Sequence, residues 1–142
     1  GGRPLSLVPD PPYWPSQQWA LRAGEVFMSP IGPLIHPVFG LWHAYRGALV
    51  FSERLPLPDP QPSTSPCETC RDKPCLAACP ADVFASGQYD VPACVGHVDS
   101  TAGKECRTAG CLARRACPVG LQYAYGPEQA RFHMEKFLKA QV

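Results

Sequence analysis

All eight cysteines of the chain fall between Cys67 and Cys117, and that confinement constrains the fold more than any other feature. The stretch opens Cys67-Glu-Thr-Cys70-Arg-Asp-Lys-Pro-Cys75-Leu-Ala-Ala-Cys79-Pro80. It continues through Cys94 and Cys106 to Cys111-Leu-Ala-Arg-Arg-Ala-Cys117-Pro118. With no cysteine outside this window, the thiols form a site and are not scattered core residues. Four soft ligands within 13 residues, followed by four more, point to metal.

Three chemistries use so many cysteines in so short a chain. A secreted disulfide framework is one, but no signal peptide is visible and bunched Cys-x-x-Cys pairs suit metal better. Two structural zinc sites are another, since four and four cysteines satisfy two tetrahedra. Zinc gives no reason for a proline after the last cysteine of each half, whereas iron–sulfur proteins carry that pair. A [4Fe–4S] cube needs four thiolates converging from different directions. A Cys-x2-Cys loop supplies two neighbouring corners while its amides donate to cluster sulfur.

The rest of the chain bounds what such a site can serve. At 142 residues this is one domain, or one domain with an arm, and bound clusters would help to fix a modest core. The formal net charge of +1 argues against bulk binding to nucleic acid or anionic membrane. No apolar run approaches 18 residues, so no membrane span is expected. The chain opens Gly-Gly and not on Met, as after a tag scar or an upstream truncation. The absent signal and an oxygen-sensitive cofactor together suggest the cytoplasm.

Residues 1–66 hold 13 of the 18 prolines, so long regular elements are not expected there. Pro4 to Val8 reads as extended. Ser16 can cap a short helix running to about Phe27. Ser29-Pro-Ile-Gly-Pro is a turn cluster, and Leu34 to Trp42 an irregular apolar connector. His43 to Ser52 is the best strand candidate, and 55–66 an extended, proline-spaced linker. Beyond Cys67, Pro74 starts a helical turn that would bring Cys75 and Cys79 onto one side. Val83 to Val91 is a small loop or hairpin. Gly110 and Gly120 are permissive positions where chain can pass a bulky cofactor. Gly126-Pro127 starts a C-terminal helix with Ala130, Met134, Phe137 and Leu138 inward and Arg131, Lys136 and Lys139 outward.

The segment Cys67–Pro118 resembles a two-[4Fe–4S] bacterial-type ferredoxin module. It is nearest to the module at the C-terminal end of epoxyqueuosine reductases and corrinoid reductive dehalogenases. Those enzymes also carry four cysteines ending in Cys-Pro, a lone cysteine, then three more ending in Cys-Pro. Leu34-Ile-His-Pro-Val-Phe-Gly-Leu-Trp-His-Ala-Tyr-Arg-Gly47 resembles the segment that links their corrinoid domain to the clusters. In two-cluster ferredoxins the fourth cysteine of a run, the one before Pro, ligates the other cluster. The same crossing here gives cluster I to Cys67, Cys70, Cys75 and Cys117, and cluster II to Cys79, Cys94, Cys106 and Cys111. Every cysteine is then used. The departures are four residues between Cys70 and Cys75 where ferredoxins usually have two, and no corrinoid-binding domain in these 142 residues. The loop around cluster I must therefore bulge, and the catalytic half of the reductases does not carry over.

The expected fold class is α+β: a ferredoxin-like two-[4Fe–4S] core with a C-terminal helix at 67–142, and a Pro-rich arm with a short helix and strand at 1–66. The expected function is electron transfer by a carrier with a redox partner protein as donor and acceptor, no catalytic residue, and no cofactor-binding residue beyond the eight ligands. The alternatives are the cluster-bearing part of a corrinoid-type reductase, hence an oxidoreductase, and a structural metal-binding module. Arg71, Lys73, Lys104, Arg107, Arg114 and Arg115 lie among the cysteines but are balanced by six acids, so a mixed solvated surface is expected. His97 reads as a loop residue, and His36 and His43 as hydrogen-bonded histidines beside Trp42.

Overall fold

The computed structural model describes residues 1–7, 13–59 and 61–141. It combines helices with two small sheets, an α+β architecture, and both sheets precede Cys67. Strand β1 (Gly2–Ser6) pairs antiparallel with β4 (Gly47–Phe51), from Gly2 opposite Phe51 to Ser6 opposite Gly47. Pro4 fits because a two-stranded ribbon has edges on both sides, where a missing N–H is tolerated. Leu49 is 65% exposed, and Val50 and Phe51 are exposed too, so this ribbon adds little to the core. The expected strand at His43–Ser52 is thus present but starts at Gly47. Val8, at the end of the expected extended segment, lies outside the described residues.

Helix α1 (Ser16–Ala23) is shorter than its apolar spacing suggested. Ser16 is its first residue, with Pro15 in the cap position and no side-chain cap bond. Gly24, at φ 80°, ends it by turning its N–H back to Leu21 O. Val26 then enters a small cluster with Ala20 and Leu34. Phe27 begins β2 (Phe27–Met28), which pairs with β3 (Leu34–Ile35) across the Ser29–Pro33 turn.

The connector 34–42 is more ordered than its composition implied. His36 and Gly40 exchange backbone hydrogen bonds of 2.9 and 2.8 Å, and His36 Nδ1 accepts from Val38 N and Phe39 N. This closed turn passes hard against the chain that follows Cys117. A Cβ on Gly40 would strike Val119 O, and one on Gly120 would lie 2.5 Å from Phe39 C. Both glycines have positive φ. What packs directly on Gly120 is the 36–40 turn. Gly110 likewise lies close to Ala130, 3.2 Å from its Cβ. These contacts place Ile31, Ile35 and Leu41 in one core with Cys75, Val83, Phe84, Ala113 and Cys117.

From Cys67 onward the described chain is helical: α2 (Pro66–Thr69), α3 (Pro74–Ala77), α4 (Val91–Asp99), α5 (Lys104–Ala109), α6 (Leu112–Arg115), a 3-10 turn at Leu121–Tyr123 and α7 (Pro127–Lys139). Helix α7 starts at Pro127 after the cap Gly126, buries Ala130 and packs on α5. Its Met134, Phe137 and Leu138 are half-buried, and Arg131, Lys136 and Lys139 are exposed, the face expected from the sequence. Among the described residues no helix is long and apolar enough to cross a membrane.

Candidate metal centre

Among the described residues, α2, α3, α5 and α6 have only four to six residues, far too short to hold themselves together. They exist because prolines, caps and packing fix them. Pro66 and Pro74 occupy first-turn positions of α2 and α3, and Ser65 Oγ accepts from Cys67 N. The four residues between Cys70 and Cys75 form the bulge required by their number. It closes at Lys73, whose φ is 39° and whose Nζ donates to Cys67 O at 2.9 Å. Helices α3 and α6 pack together, and each is bracketed by cysteines.

All eight cysteines are free thiols. They part into two groups of four around two separate hollows. Cys67, Cys70, Cys75 and Cys117 line hollow I with Pro30, Ile35 and Val119. Cys79, Cys94, Cys106 and Cys111 line hollow II with Phe84, Tyr89, His97 and residues of α7. Among the described residues neither lining contains a carboxylate. Cys75 lies in the first turn of α3, but Cys79 follows the cap Ala78 and lines the other hollow, so the two are not on one side. Helix α6 runs the other way: Cys111 precedes it in hollow II and Cys117 follows it in hollow I. Two antiparallel single turns thus exchange their ends between the sites. Three residues lie between Cys75 and Cys79, a span of at most about 14 Å at Cα.

The hollows differ in size and in what faces the sulfurs. Hollow II has a cavity volume of about 290 Å³. Hollow I has about 20 Å³, room for roughly one water. Burial pushes the thiols of Cys75, Cys94, Cys106, Cys111 and Cys117 up, and repulsion from cysteines of the same hollow adds to it. The amides of Leu76 and Val119 oppose this rise at Cys75 and Cys117, as those of Leu112, Arg114 and Ala113 do at Cys106 and Cys111. Two side chains act only in hollow II. Tyr89, beside Cys94 in the lining, opposes the rise of that thiol, and His97 Nε2 lies 3.9 Å from Cys106 Sγ.

Soft donors without carboxylates fit a thiophilic metal, and binding must first remove the protons that burial favours. Among the described residues no group of three or more His, Cys, Asp or Glu is placed to hold a metal ion. A single ion would draw its four sulfurs to within about 4 Å of one another, given Zn–S bonds near 2.3 Å. A polynuclear cube keeps its thiolates farther apart. Hollow II has space for such a group, whereas hollow I, with room for about one water, is too small for one as it stands.

Three positions were not legible as they turned out. Helix α4 covers the expected loop end, with Asp90 accepting from Ala93 N and Pro92 inside the first turn. That cap and proline pair was the available signal. His97 is therefore helical. Arg114 is not a solvated charge: its guanidinium donates to Leu41 O and lies 4.6 Å from the Trp42 ring and 4.7 Å from Tyr125. Arg107 likewise donates to Val98 O at 2.9 Å, while Arg115 pairs with Glu105 at the surface. No protein family, curated protein or solved structure matches this chain.

Proposed function

We propose that this chain is a one-electron carrier with two [4Fe–4S] clusters, one on Cys67, Cys70, Cys75 and Cys117 and one on Cys79, Cys94, Cys106 and Cys111. The observation that carries this reading is the parting of eight free thiols into two carboxylate-free sets around separate hollows. The likeness to two-cluster ferredoxins lies in the crossing of ligands, here borne by the antiparallel turns α3 and α6. Iron bound this way supplies a reversible one-electron couple, with no bond to substrate. The residues of this chain hold the thiolates apart, bury three of the eight and aim amides at sulfur. A partner protein delivers the electron and another group removes it. The balanced charge among the cysteines gives that partner little long-range steering.

Anaerobic purification with iron and sulfide analysis tests the reading. About eight iron and eight sulfide per chain, with visible absorbance bleached by dithionite, is the expected result. A colourless protein loaded with zinc would sink it. Clusters that load fully but resist reduction would reassign the module to a structural role.

A further inference from the structure

The two hollows present different donors to sulfur, and the difference comes from side chains. Tyr89 sits in the lining of hollow II, its ring 5.3 Å from that of buried Phe84. The backbone on either side is pinned, with Asp90 N donating to Val83 O at 2.9 Å and Asp90 capping α4. From this fixed point the phenol lines hollow II beside Cys94, one turn into the helix. His97 follows Cys94 by three residues and so shares its face of α4. Its ring reaches across to Cys106 on α5. That reach depends on the approach of the two helices at Gly103, where a Cβ would lie 2.6 Å from both His97 C and Val98 Cα. In hollow I the amides of Leu76 and Val119 face Cys75 and Cys117, and the charged side chain of that lining, Lys73, gives its hydrogen bond to Cys67 O.

We propose that Tyr89 and His97 are positioning residues that raise the reduction potential of the cluster on Cys79, Cys94, Cys106 and Cys111, and of that cluster alone. This rests on the two-cluster reading above. Reduction adds one electron from a one-electron donor and places more negative charge on sulfur, with no bond made or broken. A neutral O–H or N–H aimed at that sulfur stabilises the reduced form more than the oxidised one, so the potential rises. Exposure of a cluster to water also stabilises the added charge, and it acts at hollow I, where Cys67 and Cys70 are half-buried. The side-chain donors in hollow II offset that advantage of its neighbour.

The test uses the full chain, reconstituted anaerobically, as wild type, Tyr89→Phe, His97→Leu and the donor-retaining His97→Gln. Iron and sulfide are counted on each, and both potentials are read by titration followed in electron paramagnetic resonance. With about eight iron retained, Tyr89→Phe and His97→Leu should each lower the same one of the two potentials. The expected change is about tenfold in the reduced-to-oxidised ratio, which is 59 mV for one electron. His97→Gln should restore most of the wild-type value. Fully loaded variants whose potentials both stay put, or both move together, would overturn the assignment while leaving the clusters standing. Wild-type protein that binds no iron would overturn both.

Discussion

Hollow I and hollow II use the same four-thiol chemistry on different scaffolds. Hollow I is built from a half-buried turn, two single-turn helices and the residues after Pro118. Its position is set by backbone meeting backbone, where the 36–40 turn rests on Val119 and Gly120. Hollow II is built from α4 and α5, which α7 covers, and its sulfurs meet a phenol and an imidazole. One site is held by close approach of main chain, the other by side chains on longer helices. A proline and glycine framework can therefore make a tight site with few side chains, while helices give a roomier one whose lining can tune it.

The largest effect that separates the sites comes from the exchanged cysteines. Replacing Cys117 by Ser should remove the cluster in hollow I, although Cys117 lies 42 residues from Cys75 in sequence. Replacing Cys79 by Ser should instead empty hollow II, although Cys79 closes the run that begins at Cys67. Iron should fall from about eight to about four in each case. The two spectra should then differ, with Tyr89→Phe altering the potential that survives in Cys117→Ser and none in Cys79→Ser. If both replacements leave the same cluster, the exchange through α3 and α6 is wrong.

The grouping of the cysteines into two sets of four was legible because cysteine spacing is a local signal. Helix α7 was legible too, from Pro127 after Gly126 and a 3.6-residue apolar period. What stayed hidden depended on contacts distant in sequence. Nothing local to Gly120 states that Phe39 will lie against it. Arg114 read as surface charge because its partners, Leu41 O and the Trp42 and Tyr125 rings, come from elsewhere in the chain. Helix α1 shows the converse, since a near-helical apolar spacing to Phe27 was overruled by one glycine in the left-handed region. Fold class was visible, and the crossing of main chain that seats hollow I was not.

That crossing can be tested by adding a single methyl group. Gly120→Ala places a Cβ 2.5 Å from Phe39 C at a residue whose φ is 72°. The left-handed backbone costs about 1–2 kcal/mol, and crowding of a packed site about 1–3 kcal/mol more. A loss of about 2–5 kcal/mol is expected, with the cluster in hollow I lost first on warming. Gly87→Ala is the control on the other side: its φ is 75°, but nothing lies within 4 Å of a Cβ there. It should cost only about 1–2 kcal/mol and spare both clusters. Denaturant unfolding of the loaded proteins, followed by circular dichroism and visible absorbance, measures both. Equal losses for the two glycines would show that the 36–40 turn is not what seats hollow I.

Arg114 joins the two scaffolds, and its removal should have a smaller effect spread over both. It lines hollow II, yet its guanidinium donates to Leu41 O, one residue beyond the Gly40 that packs on Val119. Arg114→Ala leaves that carbonyl without its charged partner and takes the cation from between Trp42 and Tyr125. A charge-assisted bond contributes about 1.5–3 kcal/mol, and ring stacking of a half-exposed cation about 0.5–1 kcal/mol. With the overlap between them, the expected loss is about 2–3 kcal/mol. Arg114→Lys should recover less than half, because an ammonium cannot lie flat between two rings while donating twice to one oxygen. The prediction is read in the midpoint of unfolding and in the order of bleaching. Loss of absorbance from both clusters together would mark Arg114 as a tie between the scaffolds, whereas early loss from hollow II alone would confine it to that lining.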